Sequence, residues 1–296
     1  MPASRLAHIL LAAAALASGT PLLAQDDPRE QDNIIVIGEV PEEEADGGDA
    51  RRQARAITPR GTVTGEPLAR FTDPICPGVW GLSGESAQYI IDRIYFNAET
   101  AGLELNLREG CAANVIVAFV DEPHGEFAAL VAARHHLVQS LTFWERKRVR
   151  ETQGPVLAWN VVATLTGSGE SRQGNPPTIE STQSTRLNSG RRRDMQLSVV
   201  MLDTDLLQDL DGLALADYAT MRTLARTLPV EQGPSERGEA AYGTILSLFS
   251  DPVNAPQSLT PFDRAYLASL YAGRANQPGY MALRDVDERM AGAAGE

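Results

Sequence analysis

The spacing of apolar residues changes between helical and strand patterns along the middle of the chain. Apolar residues recur every three or four positions over residues 83–100, which predicts a long first helix with Ser83 as its N-cap and Ser86 as the second choice. The continuous apolar run NVIVAFV at residues 114–120 is typical of a central strand that is buried on both faces. Together, these two patterns predict helices packed against a sheet.

The patterns after residue 120 predict further helices and strands. The Ala-rich segment 124–138 has a helical pattern, and LTFWERKRVR at 141–150 predicts a second helix with a basic outer face. The segment 156–166, VLAWNVVATLT, alternates as a half-buried strand does, and DMQLSVVML at 194–202 predicts another strand. The polar segment 167–193 between these strands is expected to be a mobile loop.

Two more helices are expected in the last third of the chain. Residues 213–228 are apolar on most sides, which predicts a largely buried helix. Thr260 is a suitable N-cap and Pro261 suits the first helical position, so the last helix is expected to begin there and to end near Gly273.

The first 24 residues have the features of a secretory signal peptide. They contain one charged side chain, Arg5, an apolar run at 9–17, and small residues leading to Ala24. The apolar run is too short to span a bilayer. We therefore expect cleavage after Ala24, a periplasmic or secreted protein, and no membrane span in the mature chain.

Residues 25–67 are dominated by charged residues, Pro and Gly, which predicts a disordered linker. The apolar segment 33–38, NIIVIG, resembles a short sequence near the mature amino terminus of exported proteins, including TonB-dependent receptors, of sphingomonad-type bacteria. It is interpreted either as a docking strand or as an inert apolar patch. Residues 68–290 are expected to form a single globular domain, and residues 291–296 a tail.

The composition suits a globular domain and excludes some classes of partner. Hydrophobic residues make up 43% of the chain and charged residues 22%, so a sizeable core can form. The net charge of −13 argues against nucleic acid and anionic lipid as partners, because binding to phosphate depends on Lys and Arg. The sequence does not predict an oligomeric state.

The cysteines and histidines indicate a disulfide and no metal site. Cys76 and Cys111 lie in the exported part, where an oxidising compartment favours a structural disulfide. On one continuous helix, His124 and His135 would lie about 16 Å apart, too far to share a zinc ion. His136 adds no nearby partner, so neither a metal nor a cofactor is predicted.

Two segments near the carboxyl terminus resemble metzincin peptidases. GTILSLF at 243–249 looks like the Met-turn of that family, with Leu246 where methionine would be. LTPFDRAYLASLYAG at 259–273 is similar to the helix that closes matrixin and serralysin-type catalytic domains. The resemblance implies an α+β, zincin-like fold with a mixed sheet, a long first helix, a central helix that held the active site and a closing helix.

The zinc-binding motif of this family, HExxHxxGxxH, is not preserved on the predicted central helix. The motif would place its three histidines, its glutamate and its glycine on the following positions: Asp217, Met221 and Thr227 for histidine, Tyr218 for glutamate and Leu224 for glycine. A thioether and a hydroxyl are poor zinc ligands, and a phenol does not replace a carboxylate base at neutral pH. The overlay predicts a degenerate zinc site, and Leu224 predicts that the helix continues.

Three functions remain open at this point. The first is a non-catalytic exported module that binds a peptide or an envelope protein along strand 156–166, with Tyr218 and Met221 on the floor of the cleft. The second is a hydrolase that uses metal or paired carboxylates, such as Asp217 with Asp263 or Asp211, or a histidine. The third is a structural envelope protein without a ligand.

Overall fold

The structure of the chain is a computed structural model. The predicted signal peptide and the apolar segment 33–38 lie outside the residues that it describes. From residue 49 onward, the described residues group into one compact unit. The structure describes residues 49–59, 65–169, 185, 187–208, 210–230 and 242–293.

A mixed sheet of four strands lies at the centre of the structure, which confirms the predicted mixed sheet and is compatible with the α+β class. The strands are β1 (Pro77–Trp80), β2 (Val115–Val120), β3 (Val156–Thr166) and β4 (Arg191–Asp203). Their order is β1-β2-β4-β3, and β3 is the antiparallel strand at one edge of an otherwise parallel sheet. The bounds predicted for β3 are confirmed, and those of β2 are one residue shorter than predicted.

Helices cover both faces of this sheet because successive side chains of the strands point to opposite sides. Val115 and Val117 of β2 belong to one core, whereas Ile116 belongs to the other. The first face is covered by α2 (Gly84–Thr100) and α6 (Gly212–Leu224). The second face is covered by α3 (Pro123–Ala132), α4 (His136–Gln139) and α5 (Phe143–Glu151).

The long helix α2 and the helix α5 agree closely with the sequence pattern. Ser83 is the N-cap of α2, and its side chain accepts a hydrogen bond from the backbone N–H of Ser86. Thr142 and Glu145 form a capping box at the start of α5, which satisfies two backbone N–H groups of the first turn.

The single helix predicted over residues 124–138 is wrong, because α3 and α4 are separate helices. Between them, Arg134 has a φ of 49°, in the left-handed region that ends a helix. The side chain of His135 then accepts a hydrogen bond from the backbone N–H of Leu137 and caps α4. Periodicity alone did not indicate this break.

Strand β4 begins at Arg191, inside the segment that was predicted to be a mobile loop. Arg191, Arg192 and Arg193 pair with Thr166, Leu165 and Thr164 of β3. The three arginines are polar, but pairing with the long antiparallel strand β3 holds them in β4. The prediction for 170–184 and 186 lies outside the described residues.

The predicted disordered linker contains a helix, α1 (Asp49–Ile57), at its carboxyl-terminal end. Ala50, Ala54 and Ile57 are spaced by four and three positions and are buried. They pack beside α9 (Val286–Ala293), and the backbone N–H of Arg51 donates to the Asp287 carboxylate at 3.2 Å. The linker prediction was wrong here because overall polarity concealed a narrow apolar stripe.

The carboxyl-terminal helices form a further layer. Helix α7 (Pro261–Ala272) begins at the predicted residue, with Thr260 as its N-cap, and α8 (Gly279–Ala282) precedes α9. The guanidinium of Arg70 donates to the carbonyls of Leu270 at 2.8 Å and Gly273 at 2.7 Å. These bonds satisfy carbonyl groups at the end of α7. The predicted tail begins within α9 rather than after it.

The predicted disulfide between Cys76 and Cys111 is present, with the two Cα atoms 6.3 Å apart. It joins the residue before β1 to the loop that leads into β2. Among the described helices, none combines the length and the apolar character that crossing a membrane requires.

Candidate functional site

Helix α6 occupies the place of the predicted central helix but ends earlier than expected. Asp211 is its N-cap and accepts a hydrogen bond from the backbone N–H of Leu213 at 2.9 Å. After Leu224 the chain becomes extended at Ala225. The Leu224 carbonyl accepts a hydrogen bond from the Tyr271 hydroxyl at 2.5 Å, in place of a further helical turn. The predicted continuation to residue 228 was therefore wrong.

The positions of the degenerate zinc motif all lie in the protein interior. None of them is more than 8% exposed, so Tyr218 and Met221 do not form the floor of an open cleft as predicted. Apolar side chains at these positions belong to the main core. The five positions are Asp217, Tyr218, Met221, Thr227 and Leu246.

Asp217, at the position of the first histidine, is a fully buried carboxylate with both oxygens bonded. Its Oδ1 accepts from Arg93 Nε at 2.6 Å and from Asn97 Nδ2 at 2.7 Å. Its Oδ2 accepts from Arg93 Nη2 and from the backbone N–H of Leu259, each at 2.7 Å. The hydrogen bond with Asp217 raises the pKa of Arg93. Asp217 thereby joins α2, α6 and the segment before α7.

Tyr218, which the predicted overlay matches to the glutamate of the motif, packs its ring edge-on against Phe249 with the centroids 4.6 Å apart. Burial raises the pKa of the Tyr218 phenol above its ordinary value of about 10. The side chain consequently stays protonated at neutral pH. It supplies packing, and a general base is not available at this position.

Thr227, at the position of the last histidine, closes the end of α6. Its hydroxyl donates to the Met221 carbonyl at 3.1 Å, and its own carbonyl accepts from Arg222 Nη1 at 2.5 Å. The first bond satisfies a carbonyl that the end of α6 leaves without an intrahelical partner, and the second ties the segment after α6 back to the helix.

The turn around Leu246 is held against α7 by Asp263. The Asp263 carboxylate accepts from the Thr244 hydroxyl at 2.6 Å and from the backbone N–H of Ile245 at 2.9 Å. It also accepts from the backbone N–H and the hydroxyl of Thr260, each at 3.0 Å. Asp263 thus completes the capping box of α7 and fixes the turn at the same time.

The carboxyl of Asp263 is expected to make the wild-type protein less stable as pH rises, and the substitution Asp263→Asn is expected to remove this loss of stability. Burial raises the pKa of Asp263, and its hydrogen bonds oppose this effect to a smaller extent. A carboxyl with a raised folded-state pKa holds its proton more tightly in the folded state. Stability therefore falls as pH rises from the ordinary Asp pKa of about 3.9 through the raised value. Urea unfolding of both proteins from about pH 4 to pH 7 measures this difference.

The substitution can keep the local hydrogen bonds. The amide oxygen of the new side chain can accept from Thr260 and Ile245, and its NH₂ group can donate to the Thr244 hydroxyl. Asp92→Asn, at an exposed position of α2, is the control and should leave the decline in place. A wild-type protein that instead gains stability relative to Asp263→Asn over this range would contradict the prediction.

The histidines do not come together with other ligands. His124 Nε2 lies 2.9 Å from the carbonyl oxygen of Thr152, and the ring centroids of His135 and His136 lie 4.2 Å apart. Across the described ranges, no group of three or more His, Cys, Asp or Glu residues is placed to hold a metal ion.

A groove of about 490 Å³ lies between α2, α7 and α9, next to the residues that bind Asp217. Arg93, Asn97 and Leu259 line it, so the donors to Asp217 form part of its wall. Arg264 and Arg289 also line the groove. No local sequence pattern indicates this groove, because the residues that line it come from three segments that are distant in sequence.

Among the described residues, no strand pairs with the backbone groups at the outer edge of β3. Backbone groups of an antiparallel strand point alternately toward the partner and away from it. Asp203 N donates to the Pro155 carbonyl at 3.0 Å, so Pro155 points toward β4. Arg70 N donates to the carbonyl of Arg193, which therefore points away from β3. The register of the pairing between β3 and β4 shifts between Val161 and Val162. Once this shift is included, the backbone groups of the following residues of β3 point outward, away from β4: Val156, Ala158, Asn160, Val162 and Thr164.

The expected position of β3 at the edge of the sheet is confirmed. Within the part of the chain described, β4 is its only strand partner. Comparison of the chain with protein-family models, with curated proteins and with solved structures found no match.

Proposed function

We propose that this protein is an exported, non-catalytic binding module with a metzincin-like fold, and that it holds an extended peptide along the outer edge of β3, between Val156 and Thr164. The observation that carries the proposal is the eleven-residue edge strand with outward-facing backbone groups. Such an edge can accept a further strand through backbone hydrogen bonds.

The arrangement of elements supports the metzincin-like part of the proposal. A long helix, α2, follows the first strand, and the central helix α6 follows β4. The turn at Leu246 packs beside α6, and α7 closes the domain after it. These elements occur in the order that the resemblance implies.

The non-catalytic part is supported by the way the candidate carboxylates are used. Asp217 and Asp263 are fully buried and each accepts four hydrogen bonds. Asp211 caps α6. A hydrolase would need at least one such group to face substrate, and the buried positions of Asp217 and Asp263 disfavour that role.

Thr164→Pro is expected to weaken peptide binding about tenfold while leaving the fold intact. The backbone N–H of Thr164 points outward, so proline removes a donor to the added strand without breaking the ladder to β4. The loss of one such hydrogen bond, about 1.4 kcal/mol, corresponds to this factor. Peptides selected from a displayed library of linear sequences, titrated by calorimetry, provide the measurement.

Thr164→Val is the matched control, because it changes the side chain and keeps the backbone N–H. It should bind the selected peptides as the wild type does. Equal binding by the proline variant would contradict strand addition at β3. If the library yields no binding peptide at all, the structural envelope protein becomes the better interpretation, and stoichiometric zinc in the purified protein would favour the hydrolase.

The disulfide supports export, since such bonds persist in oxidising compartments. The periplasm or the extracellular medium is accordingly the proposed location, and an extended segment of an envelope protein is the proposed kind of partner.

A further inference from the structure

The outer face of α5 carries two adjacent, exposed aromatic side chains. Phe143 is 58% exposed and Trp144 is 68% exposed. Their rings meet edge to face with the centroids 5.2 Å apart. Val149, on the opposite side of the helix, is buried in the core beneath the sheet. Helix α5 is therefore anchored by one side and presents the aromatic pair to solvent.

Basic side chains surround this aromatic pair. Successive residues of a helix are rotated by about 100°, which places Lys147, Arg148 and Arg150 on the same outward arc as both rings. Lys147 Nζ lies 5.7 Å from the centroid of the Trp144 ring and is also 3.7 Å from the Glu151 carboxylate. Even with Glu151 included, the outward arc has an excess of positive charge.

The positive charge of this face is local within an acidic chain. Five of the 26 basic residues lie between Arg134 and Arg150, and Glu145 is the single acidic residue in that interval. Nine of the 39 acidic residues precede Asp49 in the sequence. At physiological ionic strength, charges act over only about 8 Å. The net charge therefore does not determine what this face attracts.

We propose that Phe143, Trp144, Lys147, Arg148 and Arg150, the α5 face, bind the surface of an anionic phospholipid bilayer. Trp and Phe favour the level of the lipid headgroups, where the ring is partly buried. Lys and Arg beside them attract the anionic phosphates. Aromatic rings that project from a convex helix fit a planar, deformable surface. Binding to a bilayer through the α5 face is a function separate from peptide binding at β3.

Sedimentation of the full mature chain with vesicles tests the proposal. The wild type should sediment with vesicles that contain phosphatidylglycerol and much less with pure phosphatidylcholine. The double variant Phe143→Ala/Trp144→Ala should reduce the bound fraction about tenfold or more. The matched control is Trp80→Ala/Leu107→Ala, which removes side chains that are 59% and 75% exposed elsewhere and should sediment as the wild type does.

A second variant separates the charges from the rings. Lys147→Gln/Arg148→Gln/Arg150→Gln should lower binding to phosphatidylglycerol vesicles at least about tenfold and leave the weak binding to phosphatidylcholine unchanged. In a Trp80→Phe background, the remaining tryptophans are Trp144 and the buried Trp159, so a shift of the emission to shorter wavelength with the anionic vesicles reports on Trp144. Circular dichroism verifies that each variant is folded.

Two results would overturn the proposal. One is a wild-type protein that stays in the supernatant with both kinds of vesicle, which would favour an acidic protein as the partner of this face. The other is equal loss of binding in the aromatic variant and in its matched control, which would assign binding to general exposure of apolar residues.

Discussion

Asp217→Ala should lower the free energy of unfolding by about 3–5 kcal/mol, because it leaves buried donors without their acceptor. Arg93, Asn97 and the backbone N–H of Leu259 all donate to this carboxylate. Removing one partner of a buried ion pair destabilises a protein more than the pair itself stabilises it. Urea unfolding followed by circular dichroism measures the loss.

Asp211→Ala provides a control on the same helix. Asp211 makes a single capping bond to Leu213 at the exposed start of α6, so its loss should cost only about 1 kcal/mol. If Asp217→Ala is no more destabilising than Asp211→Ala, the hydrogen bonds of Asp217 do not hold the three segments together. In that case a role for Asp217 in ligand binding would regain support.

Replacing both Cys76 and Cys111 by serine should lower the free energy of unfolding by about 4 kcal/mol. The two residues are 35 positions apart, and closing a loop of this length restricts the unfolded chain by about that amount. The wild-type protein and the double variant can be compared by urea unfolding under oxidising conditions.

Reduction provides an internal check on this value. Wild-type protein treated with a thiol reductant should unfold at the same urea concentration as the serine variant. A reduced wild type that keeps the stability of the oxidised protein would show that the bond contributes little and that packing around the buried Cys76 is sufficient.

Local patterns predicted the elements whose structure depends on nearby residues. The period of α2, the continuous apolar run of β2 and the alternation of β3 each indicate which faces are buried. The start of α7 follows from Thr260 and Pro261, which act within one helical turn. For these elements, the local conformational preference of the sequence agrees with the observed structure.

The remaining features depend on partners that are distant in sequence. Arg93 and Asp217 are 124 positions apart, and no local pattern indicates that they meet. The end of α6 at Leu224 depends on Tyr271, and the start of β4 depends on pairing with β3. A single sequence shows which residues are present, but it does not show the distances between them in the folded protein.

The candidate site itself was predicted only in part. The positions of the degenerate motif were expected to have lost metal chemistry, and the structure places all of them in the interior. The role of Asp217 as a link between three segments was not expected from its place in the motif. With four donors bound to it, the buried carboxylate of Asp217 stabilises the fold from within the core.

The packing of α1 beside α9 has a consequence for folding during synthesis of the chain. Helix α1 is near the amino terminus of the described chain, whereas its partner is near the carboxyl terminus. Because the amino terminus is made first, Ala50, Ala54 and Ile57 would stay exposed until the last helix has been made. Completion of the fold would thus await synthesis of the whole chain, and a chain truncated before α9 would stay vulnerable to proteases.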